Sequence, residues 1–74
     1  MNNESRILTP HAITIAAFGG VRATARVLGC DVGKVSRWGK TGLIPAKYQR
    51  RVLEAAWASG IDLTAHDVVF GRSL

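Results

Sequence analysis

The stretch LGCDVGKVSRW, Leu28 to Trp38, decides how this chain folds. It reads as the end of one helix, a tight turn and a second helix. Gly29 supplies the left-handed residue that stops the first helix. Asp31 stands where an N-cap side chain accepts hydrogen bonds from the first unpaired N–H groups of the next. That next helix, over 32–40, contains two glycines, Gly33 and Gly39. A glycine inside a helix costs about 1 kcal/mol relative to alanine, so a helix that keeps one suggests a backbone that something approaches closely. Gly33 falls in the first turn, where propensity matters least, and Gly39 falls near the end.

Working outward, the chain divides into short helical segments punctuated by glycine or proline. Thr9-Pro10 fits an N-cap followed by proline at the first helical position. The helix it opens runs to about Phe18 and stops at Gly19-Gly20, with Ile13, Ala16 and Ala17 as its apolar stripe. VRATARVLG puts Ala25 and Leu28 on one face, beside Val21 and Thr24, with Arg22 and Arg26 pointing away. In the following helix Val35 and Trp38 face the core, and Lys34, Arg37 and Lys40 face elsewhere. TGLIP is a loop, because Pro45 restricts Ile44 and starts a new helix. AKYQRRVLEAAWASG is the longest helix, with Tyr48, Val52, Leu53, Ala56 and Trp57 inside and Arg50 and Glu54 as an exposed i,i+4 pair. Thr64 and Asp67 make a capping box for LTAHDVVF; a strand over Val68–Phe70 is the alternative for that tail. There is no alternating strand pattern and no repeat. About five short helices in an all-α bundle is the expectation.

Composition bounds the rest. Seventy-four residues make one domain, 1–74, and residues 1–8 read as a flexible N-terminal arm. A chain of this size buries only about 60% of its unfolded surface, so the core is small. Nearly half the residues are apolar (47%), which argues against a disordered chain. A lone cysteine, Cys30, makes no internal disulfide, and no metal-ligand cluster is present, which favours a reducing compartment. MNNESRILTP lacks the basic-then-apolar order of a signal peptide, and AITIAAFGGV is too short to span a bilayer. The expectation is a cytoplasmic protein without a membrane partner.

Charge points to a partner. Ten Lys and Arg oppose five Asp and Glu. Arg22, Arg26, Lys34, Arg37, Lys40, Lys47, Arg50 and Arg51 fall in one stretch, where Asp31 is the only acid. Such a concentration suggests an anionic partner, nucleic acid first; the plain alternative is a solvated basic face. A helix-turn-helix needs a small residue in its first helix, a residue with positive φ in the turn and apolar anchors in the second helix. Ala25, Gly29, Val35 and Trp38 meet those demands at the required offsets, flanked by Leu28 and Cys30.

LGCDVGKVSRWGKTGLIPAKY resembles the phage Cro and CI-type repressors and the related YdaS-like antitoxins. The similarity covers about residues 19–67, and VSRW and IPAK are its most specific parts. The resemblance implies a small helical DNA-binding domain of the lambda-repressor-like kind, usually a homodimer on a palindromic operator. It carries over at Asp31, Val35, Ser36, Arg37 and Trp38. At Val32 and Gly33 the chain departs from the glutamine and small polar residue that family members often present to bases.

The expected mechanism puts the helix over 32–40 in the major groove of double-stranded DNA, where base pairs are distinguishable. The expected base-reading residues are Val32, Gly33, Lys34, Ser36 and Arg37. Lys34 or Arg37 donates to guanine O6 and N7, and Val32 packs on a thymine methyl group. Gly20, Val21 and Arg22 open a helix whose unpaired N–H groups suit a phosphate, and Lys40, Lys47 and Arg50 flank the DNA backbone. Such contacts position the protein, whereas base contacts specify sequence.

The remaining residues have plainer roles. Trp38 is a core anchor. Trp57 is core, or dimer surface. Cys30 is a small apolar residue. His11 and His66 read as surface or capping residues, Arg50 and Arg51 as part of a solvated face. Ser36 lacks partners for nucleophilic catalysis, and no cofactor loop is present, so an enzyme is not expected. Two functions remain: a transcriptional regulator, first of all a repressor acting at the nucleoid, or an antitoxin or adaptor whose main partner is a protein.

Overall fold

The fold, seen in a computed structural model that describes residues 7–73, begins and ends on a two-residue antiparallel ladder. β1 (Ile7–Leu8) pairs with β2 (Arg72–Ser73), Ile7 opposite Ser73 and Leu8 opposite Arg72. Ile7 and Leu8 are therefore fastened to the C-terminal end rather than part of the expected arm, whose residues 1–6 lie outside the described residues. Between the strands run α1 (Pro10–Phe18), α2 (Val21–Leu28), α3 (Val32–Trp38), α4 (Ala46–Ala58) and α5 (Ala65–Phe70). This is the expected small all-α bundle of five helices.

The local signals operate as chemistry dictates. Thr9 Oγ1 accepts from the Ala12 N–H at 3.1 Å, and Pro10 opens α1. α1 stops at Gly19, in the left-handed region. Its buried residues are Pro10, Ile13 and Thr14, with Ala17 half-buried. That is the i, i+3, i+4, i+7 stripe, and it leaves Ala16, expected inside, exposed. α4 starts at Ala46, the first residue of the expected segment, with Pro45 as its N-cap. Tyr48, Val52 and Ala56 are buried at intervals of four. Trp57 lies one residue, about 100°, round the helix and is 61% exposed rather than inside; its Nε1 donates to the Leu63 carbonyl at 3.1 Å.

Over the tail the helix wins against the strand. Asp67 N–H donates to Thr64 Oγ1 and Thr64 N–H donates to Asp67 Oδ2, both at 3.1 Å, so the capping box is complete and Val68–Phe70 are helical. Gly71 then turns the chain into β2 at φ +82, buried against β1, where a Cβ would collide with the Leu8 carbonyl oxygen. The core lies where α1, α2, α4 and α5 meet and α3 docks on α2, around Leu28, Val35, Val52, Ala56 and Val68. No helix among the described residues is long and apolar enough to cross a membrane.

Candidate nucleic-acid interface

α2 and α3 form a helix-turn-helix. Ala25 is 2% exposed, small enough for α3 to pack closely on α2. At the corner Gly29 takes φ +67, and the Cys30 N–H donates back to the Ala25 carbonyl at 3.0 Å. This double-back bond satisfies a carbonyl that the helix end leaves open. Val35, fully buried, and Trp38, 8% exposed, anchor α3. His11 Nε2 donates to the Val35 carbonyl at 3.0 Å, tying α1 to α3.

The second helix of the pair, α3, is shorter than the expected 32–40. It ends at Trp38, and Gly39 and Lys40 continue as tightened turns through bonds to the carbonyls of Ser36 and Arg37. Asp31 sits at the N-cap in extended conformation, but its side chain caps nothing. The Asp31 carbonyl receives the Lys34 and Val35 N–H groups instead. Its carboxylate lies over Gly33: a Cβ there would stand 3.0 Å from Asp31 Oδ2 and 3.5 Å from the Arg37 guanidinium. Gly33 thus leaves room for both side chains.

Of the expected base-reading residues, Val32, Ser36 and Arg37 are exposed on α3. Lys34 is not on that free face. Its ammonium donates to Tyr48 Oη on α4 at 3.0 Å and it is half-buried. Being one helical turn from Arg37 did not keep the two together, because α4 offers Lys34 an acceptor. Of the expected phosphate residues, Gly20 uses its own N–H on the Ile15 carbonyl at 2.8 Å. Val21 and Arg22 open α2, whose N-terminus no side chain caps. Lys40 and Lys47 are exposed, and Arg50 is turned onto Glu54 at 3.1 Å, a water-exposed pair that contributes little.

What sequence reasoning missed is Tyr48, read there as core only, and the gathering of Lys34, Lys47 and Arg51 on it. The ring leans against Trp38 with centroids 5.1 Å apart. Around it stand Lys34 Nζ at 5.3 Å, Lys47 Nζ at 5.7 Å and the Arg51 guanidinium carbon at 5.1 Å from its centroid. Arg51, expected to be merely solvated, also donates to the Leu28 carbonyl at 3.1 Å and so caps the end of α2. The Lys34 hydrogen bond lowers the Tyr48 hydroxyl below its ordinary pKa, and Tyr48 raises that of Lys34. Lys47, Tyr48 and Arg51 share one turn of α4, a signal visible in the sequence; Lys34, on another helix, is not. No cluster of three or more metal-ligating side chains occurs among the described residues. The chain matches no protein-family model, no curated protein and no solved structure.

Proposed function

We propose that the chain binds double-stranded DNA as a phage- or prophage-type transcriptional regulator, a repressor acting as a homodimer on a palindromic operator at the nucleoid. One observation carries this reading. α3 is held from behind by Val35 and Trp38 while Val32, Ser36 and Arg37 stand exposed on it, beside cations without carboxylate partners among the described residues. A short helix anchored in this way is the element that enters a major groove. Arg37 is the base-reading residue of this proposal, Val32 its methyl contact and Ser36 a polar contact to base or phosphate. Val21, Arg22, Lys40 and Lys47 engage the backbone. No catalytic role is proposed for any residue.

Selection of genomic fragments with the purified protein tests this. A shared, two-fold symmetric sequence with half-sites about 34 Å apart supports it, and log affinity should fall linearly with log salt. Recovery of random fragments with no common sequence overturns the sequence-specific reading.

A second reading, an antitoxin or adaptor with a protein partner, is favoured by two exposed aromatics, Trp57 at 61% and Phe70 at 68%. A neighbouring toxin-like reading frame and salt-independent capture by its product would support that reading. A divergent gene with repeated operators between would support the first.

A further inference from the structure

Three cations stand around Tyr48, each within 5.7 Å of the ring centroid. The ion pairs among the described residues are Arg50 with Glu54 and Arg72 with Asp67, so Lys34, Lys47 and Arg51 have no carboxylate partner there. An aromatic face attracts a cation but does not neutralise it. The hydroxyl of this tyrosine is half used. It accepts the Lys34 ammonium at 3.0 Å, and a phenol retains one O–H to donate. Among like charges, an acceptor that brings negative charge suits such a proton best. Lys47 also lies in the first turn of α4, whose N-terminus no side chain caps, so the positive end of that helix adds to the field.

We propose that the Tyr48 hydroxyl, with the Lys34, Lys47 and Arg51 side chains around the ring that carries it, forms a seat for a single phosphate group between α3 and α4. The oxygens of a phosphate are acceptors only, and several are presented at once, which matches one O–H and three cationic donors. Arg51 is held in place by its bond to Leu28 O and keeps further N–H groups for an anion. Lys34 thereby changes role, from reading a base edge to gripping the backbone. The phosphate comes either from a DNA strand, in which case the seat rests on the DNA-binding reading above, or from a free phosphate ion.

The test has two arms on the full chain. In the first, inorganic phosphate is titrated against chloride at matched ionic strength while the Tyr48 ring and lysine side-chain signals are followed by NMR. Saturable shifts are expected, lost in the Lys34→Gln/Lys47→Gln double variant and weakened several-fold in Tyr48→Phe, which keeps the ring against Trp38. Absence of saturation, or equal shifts in the double variant, overturns the seat. In the second arm, wild type and double variant bind a selected and a mixed-sequence duplex. The double variant should lose about tenfold affinity on both duplexes alike. Its salt slope should fall by about 0.9, the value for one phosphate rather than two. A loss confined to the selected sequence returns Lys34 to a base edge and overturns the proposal, as does unchanged binding. If wild type binds no duplex while phosphate still saturates the site, the seat stands for a free anion and it is the DNA-binding reading that fails.

Discussion

At the α5 end of the molecule Asp67 is 4% exposed, and its two carboxylate oxygens meet Arg72 Nε at 3.1 Å and Nη2 at 2.6 Å while also closing the Thr64 capping box. At the α3–α4 end Lys34, Lys47 and Arg51 stand around one tyrosine with no carboxylate of the described residues within ion-pair distance. Both regions are small; the first links residues at most eight apart in the chain, the second two separate helices. The first satisfies its charges internally and so contributes stability. The second leaves like charges to repel one another, a cost that an anionic partner would relieve on binding. Changes at the closure should therefore register in unfolding, and changes on the basic face in binding.

The largest effect is expected at Gly71. It takes φ +82 with ψ −165, a region essentially confined to glycine, where an L residue costs about 1–3 kcal/mol. The added methyl of Gly71→Ala would also run into the Leu8 carbonyl oxygen where β1 crosses. Urea unfolding should show a loss of about 2–4 kcal/mol. The same change at Gly33, where the neighbours are side-chain ends, should leave the midpoint nearly unmoved. Equal losses at the two sites would show that the terminal ladder is not what closes the fold.

The Asp67–Arg72 pair comes next. Arg72 first, then Thr64, holds the Asp67 carboxyl at about 2, below its ordinary 3.8. A carboxyl depressed in the folded state stabilises the fold at pH values above its unfolded pKa. That contribution is lost as pH falls from about 4 through about 2. A shift of this size corresponds to about 2 kcal/mol. Stability measured from pH 5 to pH 2 should fall accordingly in the wild type and much less in Asp67→Asn. Parallel curves would place the acid sensitivity elsewhere.

What the sequence made legible was local. Thr9 with Pro10, Gly29 as a turn residue, the Thr64–Asp67 box and the Arg50–Glu54 pair each act across four residues or fewer, and each has the geometry its spacing dictates. The contacts that reshape the candidate site span more of the chain. Lys34 reaches Tyr48 fourteen residues on, Arg51 reaches Leu28 across twenty-three, and His11 reaches Val35 across twenty-four. No periodicity encodes these, because they depend on how helices cross. The ladder between Ile7–Leu8 and Arg72–Ser73 is too short to carry an alternating pattern. Asp31 had the right type and position for a cap, yet its carbonyl took that work and its side chain lies over Gly33.

On the basic face Arg37→Ala should separate binding from folding. Arg37 is exposed and makes no ion pair among the described residues, so its removal should move stability by less than about 0.5 kcal/mol. Affinity for a selected duplex should drop about tenfold, and discrimination at one base position should relax. A uniform loss on selected and mixed sequences alike would make Arg37 a backbone contact.

The smallest effect sharpens the comparison from inside the bundle. Thr14 on α1 and Thr24 on α2 are both fully buried. Thr24 Oγ1 donates to the Gly20 carbonyl at 2.7 Å, whereas Thr14 Oγ1 has no hydrogen-bond partner among the described residues. Replacing a threonine by valine keeps the shape and removes the hydroxyl. At Thr24 that deletes a bond whose net contribution is about 1 kcal/mol, with the Gly20 carbonyl still served by the Thr24 N–H. At Thr14 it removes a polar atom that folding strips of water without compensation, a penalty of about 1 kcal/mol or more. Thr24→Val should therefore lower the urea midpoint and Thr14→Val raise it, with unchanged slopes and unchanged duplex binding. If both variants lose stability, Thr14 has an acceptor in solution and the interior of α1 is as fully satisfied as that of α2.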